Sequence, residues 1–262
     1  LYWEPLTMVE KVFIRFFGMK RGGNHALQNW ILPKFNGRVY FNNNAAFKPH
    51  VKQKRSDGLD CLHHYDHISM APRDNNDVTF IGYEDLLLSY CLAEPPNKDN
   101  VYGTRDKYRD IFVVRDPYNL FASRARHYDK GLASQRDLCV QKRHDFPRLV
   151  LLWKDMAQRL LNTQDREIGI YYDEWFINEG YRRSLCDWMG VEFNDKGKDF
   201  ISSWGGGSSF DNHKTPAHKM KVLDRKKQYE DYEFYYKLAE DKELNELLDT
   251  INESFKQQFP RL

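Results

Sequence analysis

Short apolar runs rich in aromatic and β-branched residues alternate along the chain with longer stretches in which apolar residues recur at helical spacing. The short runs predict strands and the longer stretches predict helices. The predicted strands cover residues 12–17, 38–41, 78–83, 110–114 and 167–172, and the predicted helices cover residues 24–32, 118–128, 146–161 and 181–189. This alternation is typical of an α/β fold with a central parallel sheet flanked by helices.

The C-terminal region carries a clear helical stripe. Leu244, Leu247, Leu248, Ile251 and Phe255 recur on one face of a helix. We therefore expect an amphipathic helix that packs this face on the body of the protein.

The bulk composition is that of a globular protein of moderate size. The chain has 262 residues, of which 41% are hydrophobic, so we expect residues 1–262 to form a single domain. The formal net charge of only +2 argues against a protein that coats a nucleic acid, and we expect no nucleic-acid partner. The four cysteines form no CxxC pair, which suggests neither a zinc site nor a disulfide framework.

The apolar runs also bear on localisation. Each is much shorter than the roughly 20 residues that span a bilayer, and no signal peptide is visible. Together with the scattered cysteines, which fit a reducing compartment, this leads us to expect a cytoplasmic protein without a membrane partner.

A glycine-rich turn follows the first predicted strand. The strand VFIRFF runs into GMKRGGNHALQNWIL, in which a turn opens an amphipathic helix. The backbone N–H groups of such a turn and the helix N-terminus bind phosphate. The spacing of Gly18 and Gly23 matches the first part of a P-loop, but Asn24 and His25 occupy the places of the Lys and the Mg²⁺-binding Ser or Thr of a nucleoside triphosphatase. The cations Lys20 and Arg21 precede the second glycine instead. We therefore expect the loop to bind an anion without a metal ion.

A second motif lies in YRDIFVVRDPYNLFASRARHY, where a predicted strand is followed by a turn with Arg115 and Pro117 and by a helix that contains Ser123. If the Ser123 hydroxyl faces back toward the strand end, Arg115 and Ser123 can bind one phosphate group together. An arginine that pairs with Asp116 or Asp110, and a serine that is only a small helix residue, are the alternatives.

Together these motifs resemble the sulfotransferases that use PAPS (3′-phosphoadenosine 5′-phosphosulfate) as donor. Their 5′-phosphosulfate loop reads roughly PKSGTTWL, and their 3′-phosphate motif is a strand, R-[ND]-P and a serine eight residues after the arginine. The resemblance is closest to a bacterial-type branch with an R-x-G-N-H loop and a GGGSSFD segment. It implies a P-loop-like sulfotransferase fold and sulfuryl transfer from PAPS to a hydroxyl or amine, with PAP (adenosine 3′,5′-bisphosphate) as product and no metal.

The resemblance also implies a set of donor-binding residues. Loop residues and the second motif bind the two ends of the donor, Tyr172 lies near the adenine, and a glycine segment closes on the 3′-phosphate although it lacks the usual Arg-Lys pair. These residues are Lys20, Arg21, Gly22, Gly23, Asn24, His25, Ala26, Arg115, Ser123, Tyr172, Gly205, Gly206, Gly207, Ser208 and Ser209.

The loop departs from the family pattern at several positions. Arg21 stands at the family lysine, Asn24 and His25 at its two hydroxyl residues, and Ala26 at the tryptophan that stacks on adenine. Whether Arg21 or Lys20 neutralises the leaving oxygen therefore stays open.

The general base is expected among residues near the strand ends. Glu84 directly follows the strand VTFIGY, at the end where ligands bind in open α/β sheets, and it is the preferred candidate. Asp85, His25 and the histidines of the polar connection 42–73, namely His63, His64 and His67, are the alternatives.

Other functions fit parts of the pattern. A P-loop-type kinase of a small metabolite would use the same fold, and a non-catalytic module that binds an anion or nucleotide would use the same loop. The sequence does not identify the acceptor, which can be a small molecule or a saccharide, and does not determine the oligomeric state.

Overall fold

A computed structural model describes residues 12–42, 68–69, 77–93, 107–128, 145–201 and 216–259. Its strands form one sheet in the order β3-β2-β4-β1-β5-β6, and every neighbouring pair is parallel. The strands are β1 (Val12–Gly18), β2 (Val39–Asn42), β3 (Ile68–Ser69), β4 (Val78–Glu84), β5 (Lys107–Val114) and β6 (Glu167–Tyr171). Every residue of β1 is buried, as expected for the central strand of a sheet covered on both faces.

Eight α-helices lie in the described parts of the chain. They are α1 (Asn24–Ile31), α2 (Leu88–Ala93), α3 (Pro117–Tyr128), α4 (Asp145–Leu161), α5 (Tyr172–Ile177), α6 (Glu179–Met189), α7 (Glu233–Glu240) and α8 (Lys242–Gln258). Helix α4 packs against β5 and β6, and α8 packs against α4. The buried residues of α8 include Leu244, Leu248, Ile251 and Phe255, which confirms the predicted amphipathic helix.

Local sequence explains where several helices begin and end. The side chain of Asn178 accepts a hydrogen bond from the backbone N–H of Tyr181 and thereby caps α6, and Asp241 caps α8 in the same way through the N–H of Leu244. Gly190 ends α6 in the left-handed conformation, with a φ of 67°.

The α/β class and the parallel sheet flanked by helices are confirmed, with differences at element ends. The strand predicted to reach Tyr172 ends at Tyr171, and Tyr172 instead begins α5. The prediction also lacked the two-residue strand β3 and the helices α2, α5 and α7. Among the described residues, no helix is long and apolar enough to cross a bilayer.

The strand order places a switch point between β1 and β5. The chain leaves β1 toward β2 on one side and leaves β5 toward β6 on the other, and ligands of open α/β sheets bind at such a point, at the carboxyl ends of the strands. A buried bidentate ion pair joins the two strands, with distances of 2.7 Å from Arg15 Nε to Asp110 Oδ1 and 2.6 Å from Arg15 Nη2 to Asp110 Oδ2. Both carboxylate oxygens of Asp110 therefore bond to Arg15.

Candidate functional site

The loop between β1 and α1, residues 19–23, is the predicted phosphate loop and is tightly folded over the carboxyl end of the sheet. The N–H of Gly22 donates to the carbonyl of Met19 at 2.8 Å, and both Arg21 and Gly23 have left-handed backbones, with φ of 69° and 96°. Gly18 has no room for a side chain, because a Cβ there would lie 2.1 Å from Oδ1 of Asn24. The glycine spacing noted in the sequence therefore reflects close packing and a reversed backbone.

Asn24 links this loop to the end of β4. Its Nδ2 donates to Oε1 of Glu84 at 2.8 Å and to the carbonyl of Met19 at 3.2 Å. The side chain is buried, and its Oδ1 has no hydrogen-bond partner among the described residues. Glu84 is partly exposed and lies beside Gly18 in the β1–β4 register. The preferred base candidate is thus held at the edge of the phosphate loop with one carboxylate oxygen oriented by an amide.

His25, Ala26 and Lys20 surround this edge. Burial lowers the pKa of His25; the negative charge of Glu84 opposes this effect, and the positive charge of Arg21 adds to it. The imidazole is therefore neutral near pH 7. Ala26 packs against the hydrophobic core, whereas the side chain of Lys20 is exposed.

Asp85 differs from Glu84 in its surroundings. Its carboxylate forms an ion pair with Arg124 of α3 and accepts the N–H of Lys20 at 3.0 Å, and its carbonyl accepts from Nη1 of Arg148 at 2.9 Å. It also has a left-handed backbone, with a φ of 58°. These contacts tie the phosphate loop to α3 and α4, so Asp85 has a holding role, whereas Glu84 is partly exposed and bonds to the Asn24 amide.

Arg115 follows β5 and joins two segments that are distant in the sequence. Its guanidinium donates from Nη1 to the carbonyl of Arg21 at 2.9 Å and from Nη2 to the carbonyl of Val222 at 2.5 Å. Its own carbonyl accepts from Nε1 of Trp153 at 2.8 Å. The side chain is 3% exposed, and Nε has no hydrogen-bond partner among the described residues. The predicted phosphate-binding arginine therefore also holds the phosphate loop in place.

Ser123 lies in α3, eight residues after this arginine, and is fully buried. Its hydroxyl accepts from Nη1 of Arg225 at 2.9 Å and from Nε of Arg21 at 3.4 Å. The sequence predicted that Arg115 and Ser123 would bind one group together. The structure brings both to the same edge, but the side chains that contact Ser123 are those of Arg21 and Arg225.

Tyr172 lies beneath the phosphate loop. A Cβ on Gly23 would be 2.2 Å from Cε2 of the ring, and the Arg115 guanidinium is 5.1 Å from the ring centroid. Burial raises the pKa of the Tyr172 phenol. The ring thus supports the loop glycine on one side and contacts the cation on the other.

Two buried carboxylates lie behind the arginines. Oδ1 of Asp116 accepts the N–H of Asn119 at 2.8 Å, and its Oδ2 pairs with Nζ of Lys226 at 3.1 Å. Oδ2 of Asp173 accepts the N–H of Asp116 at 2.7 Å. Burial, followed by repulsion from Asp116, raises the pKa of Asp173 to about 6. These carboxylates balance part of the positive charge of Arg115 and Lys226.

The sequence did not identify Arg225 and Lys226 as site residues. It pointed to Gly205, Gly206, Gly207, Ser208 and Ser209, which lie outside the described residues, as do His63, His64 and His67. The signal that would have helped is the basic run Arg225-Lys226-Lys227, which supplies an Arg-Lys pair further along the chain than the glycine segment.

No group of three His, Cys, Asp or Glu side chains with metal-binding geometry occurs within the part of the chain that the structure describes. Comparisons of the chain with protein-family models, with curated proteins and with solved structures found no match. The arrangement itself is therefore the basis for a functional hypothesis: a glycine loop, a carboxylate at its edge and two arginines, Arg21 and Arg225, that converge on the buried hydroxyl of Ser123.

The contact between Gly23 and Tyr172 leads to a test with a matched control. Gly23→Ala places a Cβ on a left-handed backbone and against the Tyr172 ring. Gly190→Ala also places a Cβ on a left-handed backbone, but no atom lies within 4 Å of it. We expect Gly190→Ala to lower the free energy of unfolding by about 1–2 kcal/mol and Gly23→Ala by about 2–4 kcal/mol, because displacement of a packed ring adds to the strain. Urea denaturation measures both. Equal losses would contradict the ring contact.

Proposed function

We propose that this chain is a sulfotransferase that transfers the sulfuryl group of PAPS to a hydroxyl or amine acceptor. The observation that carries the proposal is the convergence of Arg21 and Arg225 on the buried hydroxyl of Ser123, next to Arg115 and to a phosphate loop that has Asn24 and His25 in place of the residues that hold Mg-ATP. A dianionic group fits a buried site of this kind, because arginine donors form strong charge-assisted hydrogen bonds.

The donor has anionic groups at both ends of an adenosine, and two parts of the site would hold them. The backbone N–H groups of Gly23 and Asn24 would bind the 5′-phosphosulfate at the start of α1. Ser123, Arg225 and Arg115 would bind the 3′-phosphate. The buried Nε of Arg115, which lacks a hydrogen-bond partner among the described residues, supports a fit to an anion at this end.

When bound, PAPS supplies an activated sulfuryl group, so the protein needs to position the acceptor, accept one proton and stabilise charge on the leaving oxygen. The acceptor oxygen or nitrogen forms a bond to sulfur while the bond between sulfur and the phosphate oxygen breaks, and its electron pair stays on the phosphate. Glu84 takes the acceptor proton, with its carboxylate oriented by Nδ2 of Asn24.

The charge on the leaving phosphate oxygen needs a cation. Nε of Arg21 is oriented toward Ser123, which favours Lys20, together with the loop N–H groups, for this role. His25, in the first turn of α1, would lie beside the 5′ end of the donor.

Ligand-dependent thermal stability tests the proposal. We expect PAP at 100 times its Kd to stabilise the protein by about 2.7 kcal/mol and so raise its Tm, because it binds the native state only. AMP, which lacks the 3′-phosphate, and ATP with magnesium are the controls and should raise Tm much less at the same concentration. Protection by ATP with magnesium that equals or exceeds that by PAP would instead support a kinase.

The role of Glu84 is tested by separating turnover from donor binding. With an acceptor found by screening hydroxyl and amine compounds against PAPS, Glu84→Gln should lower kcat by roughly 10²–10⁴ while the Kd for PAP stays close to that of the unmodified protein. Activity should persist in EDTA, because no metal takes part in the proposed reaction.

Asp85→Asn is the matched control for Glu84→Gln. It weakens the ion pair with Arg124 and the contact with the Lys20 N–H, so we expect it to lower Tm and donor affinity more than kcat. A Glu84→Gln protein with nearly unchanged kcat would reject Glu84 as the base and leave Asp85 and the histidines as candidates.

A further inference from the structure

The turn that carries Arg225 is held by an amide from α3. Asn119 lies in the first turn of α3 and is 2% exposed. Its Nδ2 donates to the carbonyl of Leu223 at 2.9 Å, and its Oδ1 accepts the N–H of Lys226 at 3.1 Å. One buried side chain therefore pairs with both a backbone acceptor and a backbone donor of the same turn, as a neighbouring strand would.

The backbone that carries this side chain is fixed by a helix cap. The backbone N–H of Asn119 donates to Oδ1 of Asp116, which caps the start of α3, so the Asn119 side chain projects from a well-anchored first turn. Ser123 lies one helical turn further along α3 and therefore on the same face as Asn119. A turn bound to Asn119 is thus held at a set distance from the Ser123 hydroxyl.

Arg225 lies in this turn, between the two residues whose backbone groups bond to Asn119. Its backbone lies between Leu223, whose carbonyl accepts from Asn119, and Lys226, whose N–H donates to Asn119, and Nη1 of Arg225 reaches Ser123 at 2.9 Å. Arg225 stands in a short 3₁₀ turn, Arg225–Gln228. Backbone hydrogen bonds within the segment, the bond from Arg115 to the carbonyl of Val222 and the Lys226–Asp116 ion pair also hold it. The Asn119 amide binds the backbone on both sides of Arg225, so its loss would let the guanidinium shift relative to Ser123.

We propose that Asn119 is a positioning residue that sets the location of Arg225 and thereby the preference of the site for nucleotides with a 3′-phosphate. This inference rests on the proposed function. Asn119 acts through Arg225 and does not itself bind the donor. The ratio of the affinities for PAP and AMP is the quantity that it controls, because the two nucleotides differ only in the 3′-phosphate.

Isothermal titration of PAP and AMP tests the inference. Asn119→Ala should lower the ratio of PAP to AMP affinity roughly 10-fold or more, while the Kd for AMP changes less than about twofold, because a charge-assisted hydrogen bond to the 3′-phosphate is lost. Arg225→Ala should lower the same ratio by at least as much. In the Arg225→Ala protein, a second change at Asn119 should have little further effect, since both act through one contact.

Asn178→Ala is the control for a loss of stability alone. Both amide atoms of Asn178 are hydrogen-bonded, to Glu174 and to the N–H of Tyr181, but they hold the α5–α6 connection. This variant should lower Tm and leave the affinity ratio unchanged. If Asn119→Ala does not fold, Asn119→Ser, whose shorter side chain reaches only part of the turn, provides the same measurement.

The possible outcomes separate the two proposals. If the unmodified protein shows no preference for PAP over AMP, the proposed function fails. If it prefers PAP and Asn119→Ala keeps that preference, or loses affinity for both nucleotides equally, only the role of Asn119 is wrong. Fully additive effects of Asn119→Ala and Arg225→Ala would likewise overturn it.

Discussion

The arrangement of the site depends on how the protein satisfies the buried guanidinium of Arg115. A buried charge without hydrogen-bond partners is strongly unfavourable, so its N–H groups must find acceptors. Nη1 and Nη2 donate to the carbonyls of Arg21 and Val222, and the ring of Tyr172 lies alongside. One side chain at the end of β5 thereby fixes the phosphate loop after β1 and the turn near the C-terminus. The cations that contact Ser123 are brought by these same two segments.

Parallel strand pairing makes this possible. Gly18 lies opposite Glu84 in β4 and Val113 in β5, so the chain segments that follow the strands emerge at one edge of the sheet. The loop then reverses over this edge with Arg21 and Gly23 in left-handed conformations. Such conformations are costly except at glycine, and they commonly occur where backbone groups must point at a ligand. The tight contacts of Gly18 with Asn24 and of Gly23 with Tyr172 hold the loop in this shape.

Much of the fold could be predicted from the sequence, because β1 and α8 have strong apolar patterns that match their burial. The phosphate loop and the Arg115 motif each follow a predicted parallel strand, so the sequence also indicated that they lie at the same edge of the sheet. Tyr172 was assigned to a strand because the run of aromatic residues has high β propensity. In the structure the strand ends before Tyr172, which begins α5. In the first turn of this helix, Asp173 accepts the N–H of Asp116, a tertiary contact that local propensity does not encode.

Pairings between distant segments were beyond reach of local patterns. Ser123 meets Arg225 across 102 positions of sequence, and Asn119 meets Lys226 across 107, and no periodicity encodes either contact. The sequence thus predicted that Arg115 and Ser123 lie at one edge of the sheet, but not that Arg21 and Arg225 contact the Ser123 hydroxyl.

A crystal structure of the protein with bound PAP would test the proposed donor site most directly. We expect the 3′-phosphate to lie within hydrogen-bond distance of the Ser123 hydroxyl and the Arg225 guanidinium, and the 5′-phosphate against the N–H groups of Gly23 and Asn24. A 3′-phosphate exposed to solvent, or PAP bound away from Ser123 with Arg21 and Arg225 still occupying the hydroxyl, would contradict it.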